Sequence, residues 1–499
     1  MKKNIICAGL LLAGLIVSSC DDMLSTTDPT KIDKNLFFKN AKQFEQAVNG
    51  VYGQLQGITN VAYLWGEMAS DNTAFDFNPA DRGGAAGWEA IEYGTVNPGN
   101  GEISGLYNSH YAALYNVNNT LERLAESELE AAVREPFEGQ LKFFRAYYYF
   151  NLVRYFGDVI LLTNTLKSYN DAYDLQRVPQ SEIFAQIEKD LTEAVALLPA
   201  AYTGQAGRVT KGAALTLLGK VYLTEKKYDD AANTLREVTK LGYSLVPDYA
   251  DNFNPARKNG PESILEVQYQ GDNDLGEQSN FSYVFAPRAS GGVVTGWTTV
   301  VPSGRNTPTN DMMAAYETGD KRKDISLKSG YTRDGTFFPV PYVNKYNYPH
   351  TIAGRTNSNW PVFRYADVLL MLAESINEQA GPTAEALGFM NQVRERAGLK
   401  PLSGLSKEAF RTAVMQERRV ELAFENHRWF DLKRVMTPVE FAAFMNAHGA
   451  RERANPTVTR GSIGFSDLDY VFSPFEYLLP IPAQQILINP ALSQNEEYK

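Results

Sequence analysis

The chain has 499 residues, with 48 basic and 58 acidic side chains, a net charge of −10 and only two cysteines. That acid excess, without a run of Lys or Arg long enough to make a local basic patch, argues against nucleic acid and against an anionic bilayer surface as docking partners. Stability must come from an apolar core and not from disulfides, and the length suffices for one large body or two to three domains.

The chain begins with Lys2 and Lys3, an apolar run over 5–17, and the small residues Ser18 and Ser19. This is the layout of a secretory signal, and the run is shorter than the roughly 20 apolar residues a membrane span needs. Ser18-Ser19-Cys20, after Ile16-Val17, resembles a bacterial lipobox, so 1–19 is read as a signal peptide and Cys20 as a lipidation site. Cys7 lies in the segment removed, which leaves one cysteine, already alkylated, in the exported protein. Residues 20–38 are read as a lipidated tether, polar and without apolar periodicity over 21–35.

Apolar residues then recur at three and four residue intervals over 39–56, 107–156 and 181–198, which predicts helices with one buried face. In LGKVYLTEKKYDDAANTL, residues 218–235, Leu218, Gly219, Tyr222, Ala231 and Leu235 fall at the offsets of a tetratricopeptide unit, with Leu215 in the leading aromatic place. Small Gly219 and Ala231 would let two helices approach while the larger residues fill the seam. A second hairpin of this kind is predicted over 368–399, and such units are expected to stack, since one alone cannot bury its face. Residues 57–105 and 244–362 are instead rich in Gly, Asn, Ser, Thr and Pro, with short β-like pieces at 264–269 and 293–301. Their many aromatic residues argue against disorder.

Five blocks occur in the order in which one known family carries them: RAYYYFNLVRYFGDV (145–159), RYADVLLMLAE (364–374), ALGFMNQVRERAGL (386–399), RVELAFENHRWFDLKR (419–434) and PIPAQQILINPALSQNEEY (480–498). With the lipobox and the central hairpin they resemble the SusD/RagB family over the whole mature chain. The resemblance implies a mostly α protein in which tetratricopeptide-like hairpins form a superhelical scaffold with long loop-rich and short β insertions. It implies one body, with an amino-terminal region over 39–245 and a carboxy-terminal, loop-bearing region over 246–499. It further implies a lipid-anchored protein of the outer membrane, facing the cell exterior. Such a protein binds a carbohydrate or other oligomer and delivers it to a SusC-like, TonB-dependent transporter, with no catalysis, cofactor or metal. Asp21-Asp22 is similar to the acidic stretch associated with export to the outer face.

Sugar rings offer C–H patches to aromatic faces and hydroxyls to polar side chains, so loops mixing both are the place to look for a glycan site. Asp71, Asn72, Phe75, Phe77, Arg82 and Trp88 form one such group, and Tyr283, Trp297, Arg305 and Tyr331 a second, with Trp88 and Trp297 the leading candidates. Trp360 and Trp429 lie inside structural family blocks and are assigned to the core. Glu417, Glu421 and Glu425, interleaved with arginines, are read as a charge-laced structural helix. Asp272, Asp274 and Glu277 lack the glycine and spacing of a calcium loop and are read as a solvated acidic segment. His110, His350, His427 and His448 show no metal-ligand spacing, and His427 is expected to be satisfied by neighbouring acids. No G-x-S-x-G, P-loop or dinucleotide motif occurs. Two other readings remain at this point: a secreted glycosidase or peptidase on a helical scaffold, and a repeat scaffold that binds only protein.

Overall fold

The structure, a computed structural model, describes residues 37–78, 80, 82–460 and 463–498, with the side chains of 82, 83 and 169 not described. The expected signal peptide, the Cys20 anchor and the tether as far as 36 lie outside the described residues. Helix accounts for 53% and strand for 7%. The helices of eight or more residues are α1 Ala41–Thr59, α2 Arg82–Tyr93, α3 Gly101–Ala125, α4 Ala131–Phe156, α5 Gln180–Leu197, α6 Lys211–Thr224, α7 Tyr228–Thr239, α8 Tyr365–Ala380, α9 Ala384–Arg396, α10 Lys407–Glu421, α11 Arg428–Val435 and α12 Pro438–Ala454.

Their starts follow local chemistry. Asn40, Asn100, Thr210, Thr383 and Ser406 each accept a backbone N–H at the start of α1, α3, α6, α9 and α10, and Thr437 with Glu440 closes a capping box on α12. The single helical stretch predicted over 107–156 is two helices. Ser127 turns its hydroxyl back onto the Leu124 carbonyl at 2.7 Å and ends α3 there. The predicted α6/α7 hairpin forms, and for the reason its composition suggests: a Cβ on Gly219 would lie 2.5 Å from Leu235 Cγ, and Ala231 and Leu235 are fully buried. α8 and α9 make the second hairpin. From α3 to α8 each helix packs on the next, and α8 also takes α10, so the stack buries faces that no single pair could.

The strands are short: β1 Thr73–Ala74, β2 Ser263–Val267, β3 Thr307–Pro308, β4 Leu327–Lys328, β5 Tyr331–Arg333, β6 Thr336–Phe338, β7 Tyr342–Val343 and β8 Trp360–Arg364. They pair antiparallel as β1 with β3, β2 with β8, β4 with β7 and β5 with β6. Two-stranded sheets are marginal alone, and these lean on the helices. The 264–269 piece is β2, but 293–301 is not a strand. Gly291 and Gly296 adopt φ of 58° and 79° around a helical turn at Gly292–Thr295, a path that its β-branched neighbours alone would not take.

One cluster of buried apolar residues runs from Phe44 to Ile481 and includes Trp360 and Trp429, as expected of both. Among the ion pairs of the described interior, two networks stand out. Arg364 reaches Glu262 at 2.6 Å, Glu421 at 2.9 Å and Glu425 at 2.8 Å, all buried, and Arg322 reaches Asp320, Glu417 and Glu421. Glu417 and Glu421 are helical, but Glu425 lies beyond the end of α10, between Phe424 and Asn426 at φ 63° and 67°. In the second network Arg418 joins Asp367 and Asp431. The expectation for His427 is corrected here: its Nδ1 accepts from Lys220 Nζ at 2.9 Å, because Lys220, paired with Asp367, is the nearer charge. Burial and that lysine hold the imidazole down at about 3.

The closing segment returns to the amino-terminal half. Tyr470 N–H donates to the Tyr93 carbonyl at 2.8 Å, Leu479 N–H to Tyr155 at 2.8 Å, Ala483 N–H to Pro98 at 2.9 Å, and Asn495 Nδ2 to Phe156 at 3.0 Å.

These buried groups set a pH optimum. Burial raises Glu67 to about 7, Glu92 to about 8 and Glu476 to about 7. The folded chain keeps those protons above the ordinary glutamate value, so their contribution is complete below about 4.5 and is lost as pH rises through 7 to 8. Burial lowers His110 to about 4 and His427 to about 3, so the unfolded chain takes up protons below 6.5 that the folded chain refuses, and stability is lost as pH falls. Between 4.5 and 6.5 these two effects oppose each other. Burial alone would raise Asp71, Asp367, Asp431, Glu421 and Glu425, but their cationic neighbours outweigh it and hold them low, so their contribution fades as pH falls below about 4. The denaturant midpoint is therefore expected to be higher at pH 6 than at pH 4 or pH 8; a higher value at pH 8 contradicts this assignment.

Candidate functional site

The loop-rich face is built on the segment 281–305, folded back on itself. Ser303 N–H donates to the Tyr283 carbonyl at 2.8 Å, Gly304 N–H to Ala286 at 3.0 Å and Arg305 N–H to Val284 at 2.9 Å. This return places Arg305 beside β3, which pairs with β1, and Asp76 N–H adds a bond to the Gly304 carbonyl at 2.8 Å. Two stretches more than two hundred residues apart, 71–77 and 303–308, thus lie edge to edge. The β5/β6 hairpin joins them through Arg333, which donates to the Ala289 carbonyl.

On this face Trp88, half-buried on α2, lies under the Arg305 guanidinium, whose Cζ is 3.5 Å from the ring centre. Its Nε1 donates to Glu102 Oε1 at 2.7 Å, its ring meets Phe75 at 5.9 Å, and Arg305 Nη1 donates to the Tyr63 hydroxyl at 3.1 Å. The indole is held at its edge and on one face, an arrangement that fixes a flat apolar surface in one orientation. Trp297, also half-buried, sits 6.2 Å from the His350 ring, and its Nε1 donates to the His350 carbonyl at 3.4 Å. The Tyr283 hydroxyl reaches His350 Nε2 at 2.6 Å while Nδ1 faces the Tyr348 carbonyl at 3.1 Å, a pattern satisfied by a ring carrying its hydrogen on Nδ1. Val293, Val301 and Phe337, in the same loop-rich region of the chain, are exposed.

The other candidates separate by burial. Asp71 is 1% exposed, with Arg428 bidentate at 2.7 and 3.0 Å and Arg419 at 2.8 Å. Asn72, equally buried, donates to Glu67 at 2.9 Å and accepts from Arg419 at 2.9 Å. Both are buried and occupied by Arg419, with Arg428 also on Asp71, so neither side chain is presented to solvent. Phe75 and Phe77 are buried, Phe77 beneath the Arg460 guanidinium at 4.7 Å. Tyr331 is buried and stacks on Phe338 at 5.2 Å, and Tyr283 is buried with the His350 ring 5.4 Å away. The Arg82 side chain lies outside the described residues. Trp88 and Trp297 stay half-buried, Trp88 against Arg305 and Trp297 against His350. His350 stands 67 residues from its tyrosine partner, and no spacing in the sequence links them.

In the acidic 272–277 segment, Asp272 accepts from Asn357 at 2.7 Å and Asp274 pairs with Arg355 at 2.5 Å. Among the described residues no group of three or more His, Cys, Asp and Glu side chains is arranged to hold a metal ion, and no helix is long and apolar enough to cross a membrane.

Comparison with known proteins bears on the family and the fold. A family described as the SusD family matches residues 328–498, and one described as starch-binding and associating with the outer membrane matches residues 31–223. SusD-like protein P2 of Formosa agariphila is 26% identical, the alignment covering 99% of each chain. Among solved structures, a SusD superfamily protein from Parabacteroides distasonis superposes with a TM-score of 0.77 at 26% identity, over 94% of this chain and all of the other. A laminarin-binding SusD-like protein does so with a TM-score of 0.74 at 25% identity, over 92% of this chain and all of the other.

Proposed function

We propose that this chain, which belongs to the SusD family, is a lipid-anchored, outward-facing protein that binds an oligosaccharide without cleaving it and passes it to a SusC-like transporter. The observation that carries the reading is the pair of half-buried indoles in the aromatic, loop-rich segments, Trp88 fixed by Arg305 and Trp297 beside His350. A ligand made of sugar rings needs such flat apolar surfaces interspersed with donors. The relative whose name records laminarin binding supports the same ligand class. Of the acids beside these groups, Asp76 Oδ2 accepts the Arg288 backbone N–H at 3.4 Å and Glu102 Oε1 accepts the Trp88 indole N–H at 2.7 Å, which suits holding a glycan better than hydrolysing one.

Affinity electrophoresis against laminarin and other neutral glucans, xylans and mannans tests the site. The folded double variant Trp88→Ala/Trp297→Ala is expected to bind at least about 30-fold more weakly than the wild type, the loss that hot-spot tryptophans bring. Undiminished binding by that variant removes the site. Release of shortened product on long incubation, abolished by one carboxylate substitution, replaces binding with hydrolysis, and capture of a soluble protein in place of a barrel transporter replaces it with a scaffold role.

A further inference from the structure

Away from the two tryptophans, among the described residues, lies a cleft of about 750 Å³, within the size range of small-ligand sites. One wall is α1, which turns Glu45, Asn49, Tyr52 and Gln56 toward it at successive turns, while Phe44, Val48 and Val51 on the same helix enter the core. The opposite wall is β2 and its continuation to Gln270. The turn 205–208 closes one end, and it does so tightly: a Cβ on Gly207, at φ +86°, would lie 2.5 Å from Gln268 Cγ.

The polar lining is held in place before any ligand arrives. Gln268 and Asn259 exchange side-chain amide bonds at 2.9 Å in both directions, Gln56 Nε2 donates to the Gln268 carbonyl at 2.7 Å, and Arg208 donates to Glu45 at 2.8 Å and Asn49 at 3.2 Å. Fixed groups of this kind lower the entropic cost of capturing a flexible ligand. Glu45, Glu266, Asp272 and Glu277 outnumber Arg208 and Lys258 along the lining, so an anionic ligand is disfavoured. Carboxamides recur on both walls, and such groups both donate to and accept from hydroxyls. The cleft's lining touches the segment that carries His350: Asp272 accepts from Thr351, the next residue, at 3.4 Å and from Asn357 at 2.7 Å.

We infer that this cleft is a second binding site for a neutral, hydroxyl-rich glycan segment, engaging a polymer that extends past the tryptophan face. The inference rests on the glycan-binding reading above. Its test uses the full chain with Asn49→Ala/Gln270→Ala, two exposed positions at the cleft, and with Asn49→Glu/Gln270→Glu. Titration calorimetry would use laminarin and its trisaccharide, or the corresponding pair from whichever neutral glycan the panel retains. The alanine variant is expected to lose about tenfold in affinity for the polymer and to keep its affinity for the trisaccharide. The tryptophan double variant is expected to lose both. The glutamate variant should also weaken polymer binding, since it gives up two donors.

Unchanged polymer affinity in both cleft variants, with loss in the tryptophan variant, overturns the second site and leaves the first standing. Loss in the cleft variants alone does the reverse. A glutamate variant that instead gains affinity for a lysine-rich peptide, with glycan binding unmoved, assigns the cleft to a basic peptide and overturns the inference. A wild type that retains no neutral glycan overturns both readings together.

Discussion

Arg364→Met is expected to cost about 3 kcal/mol, the penalty for taking one cation from buried carboxylates that then keep Arg396, Arg322 and Lys345. Arg364 is 2% exposed and serves three carboxylates, those of Glu262, Glu421 and Glu425, with a further donation to the Glu421 carbonyl at 3.1 Å. Methionine fills much of the volume and supplies none of the five donors. In the wild type the cations outweigh burial and hold Glu421 and Glu425 low, so these groups contribute above the ordinary carboxylate range and lose that contribution in acid. Without Arg364 the same carboxyls move upward, bind protons when folded, and become least unfavourable at low pH. The deficit between variant and wild type should therefore shrink from pH 7.5 to pH 5. Equilibrium denaturation at both values reads this directly; a deficit below 1 kcal/mol, or one that widens in acid, contradicts the network's role. Arg364→Lys should recover only part of the loss, since one ammonium cannot span three acceptors.

The second large effect is expected at Gly66→Ala. An added Cβ would stand 2.5 Å from the Cα and Cβ of Asn426 and 2.9 Å from its carbonyl oxygen. The obstacle is backbone, already held at φ 67° and bonded through its N–H to Glu67 at 2.8 Å, so it has no rotamer by which to yield. The loss should reach the upper end of overpacking penalties, about 3 kcal/mol, and a variant with a wild-type denaturant midpoint would show that the contact relaxes freely. Because Asn72 donates to Glu67 and β1 follows at once, the variant should also weaken the glycan binding proposed for Trp88 without touching a ligand.

How far the sequence foretold this structure depended on the range of the interactions. The α6/α7 hairpin was legible because its determinants lie within twenty residues: Gly219 yields to Leu235 on the neighbouring helix, and the spacing records it. Trp360 and Trp429 were placed in the core by the blocks around them. Asp71 and Asn72 read as a polar loop because their partners, Arg419 and Arg428, come from the far end of the chain, 347 to 357 positions away. The β-branched run at 293–301 has strand composition, but the glycines at 291 and 296 take left-handed conformations and turn it into a helical turn and bends. The tryptophan pair was visible as residues, whereas Arg305 lying over one indole and His350 beside the other depended on a loop return that no local pattern announces.

The return of residues 470–495 to α2, α4 and the turn before α3 bears on how the molecule comes into being. Carbonyls of Tyr93, Pro98, Tyr155 and Phe156 wait for donors supplied by residues 470–495, which are synthesised more than three hundred residues after α4. A growing polypeptide can zip the middle hairpins one upon another as it emerges, since those contacts are local. Its front half stays unsealed until the tail arrives, so a premature stop in the final block should yield a chain that proteases find open at α4.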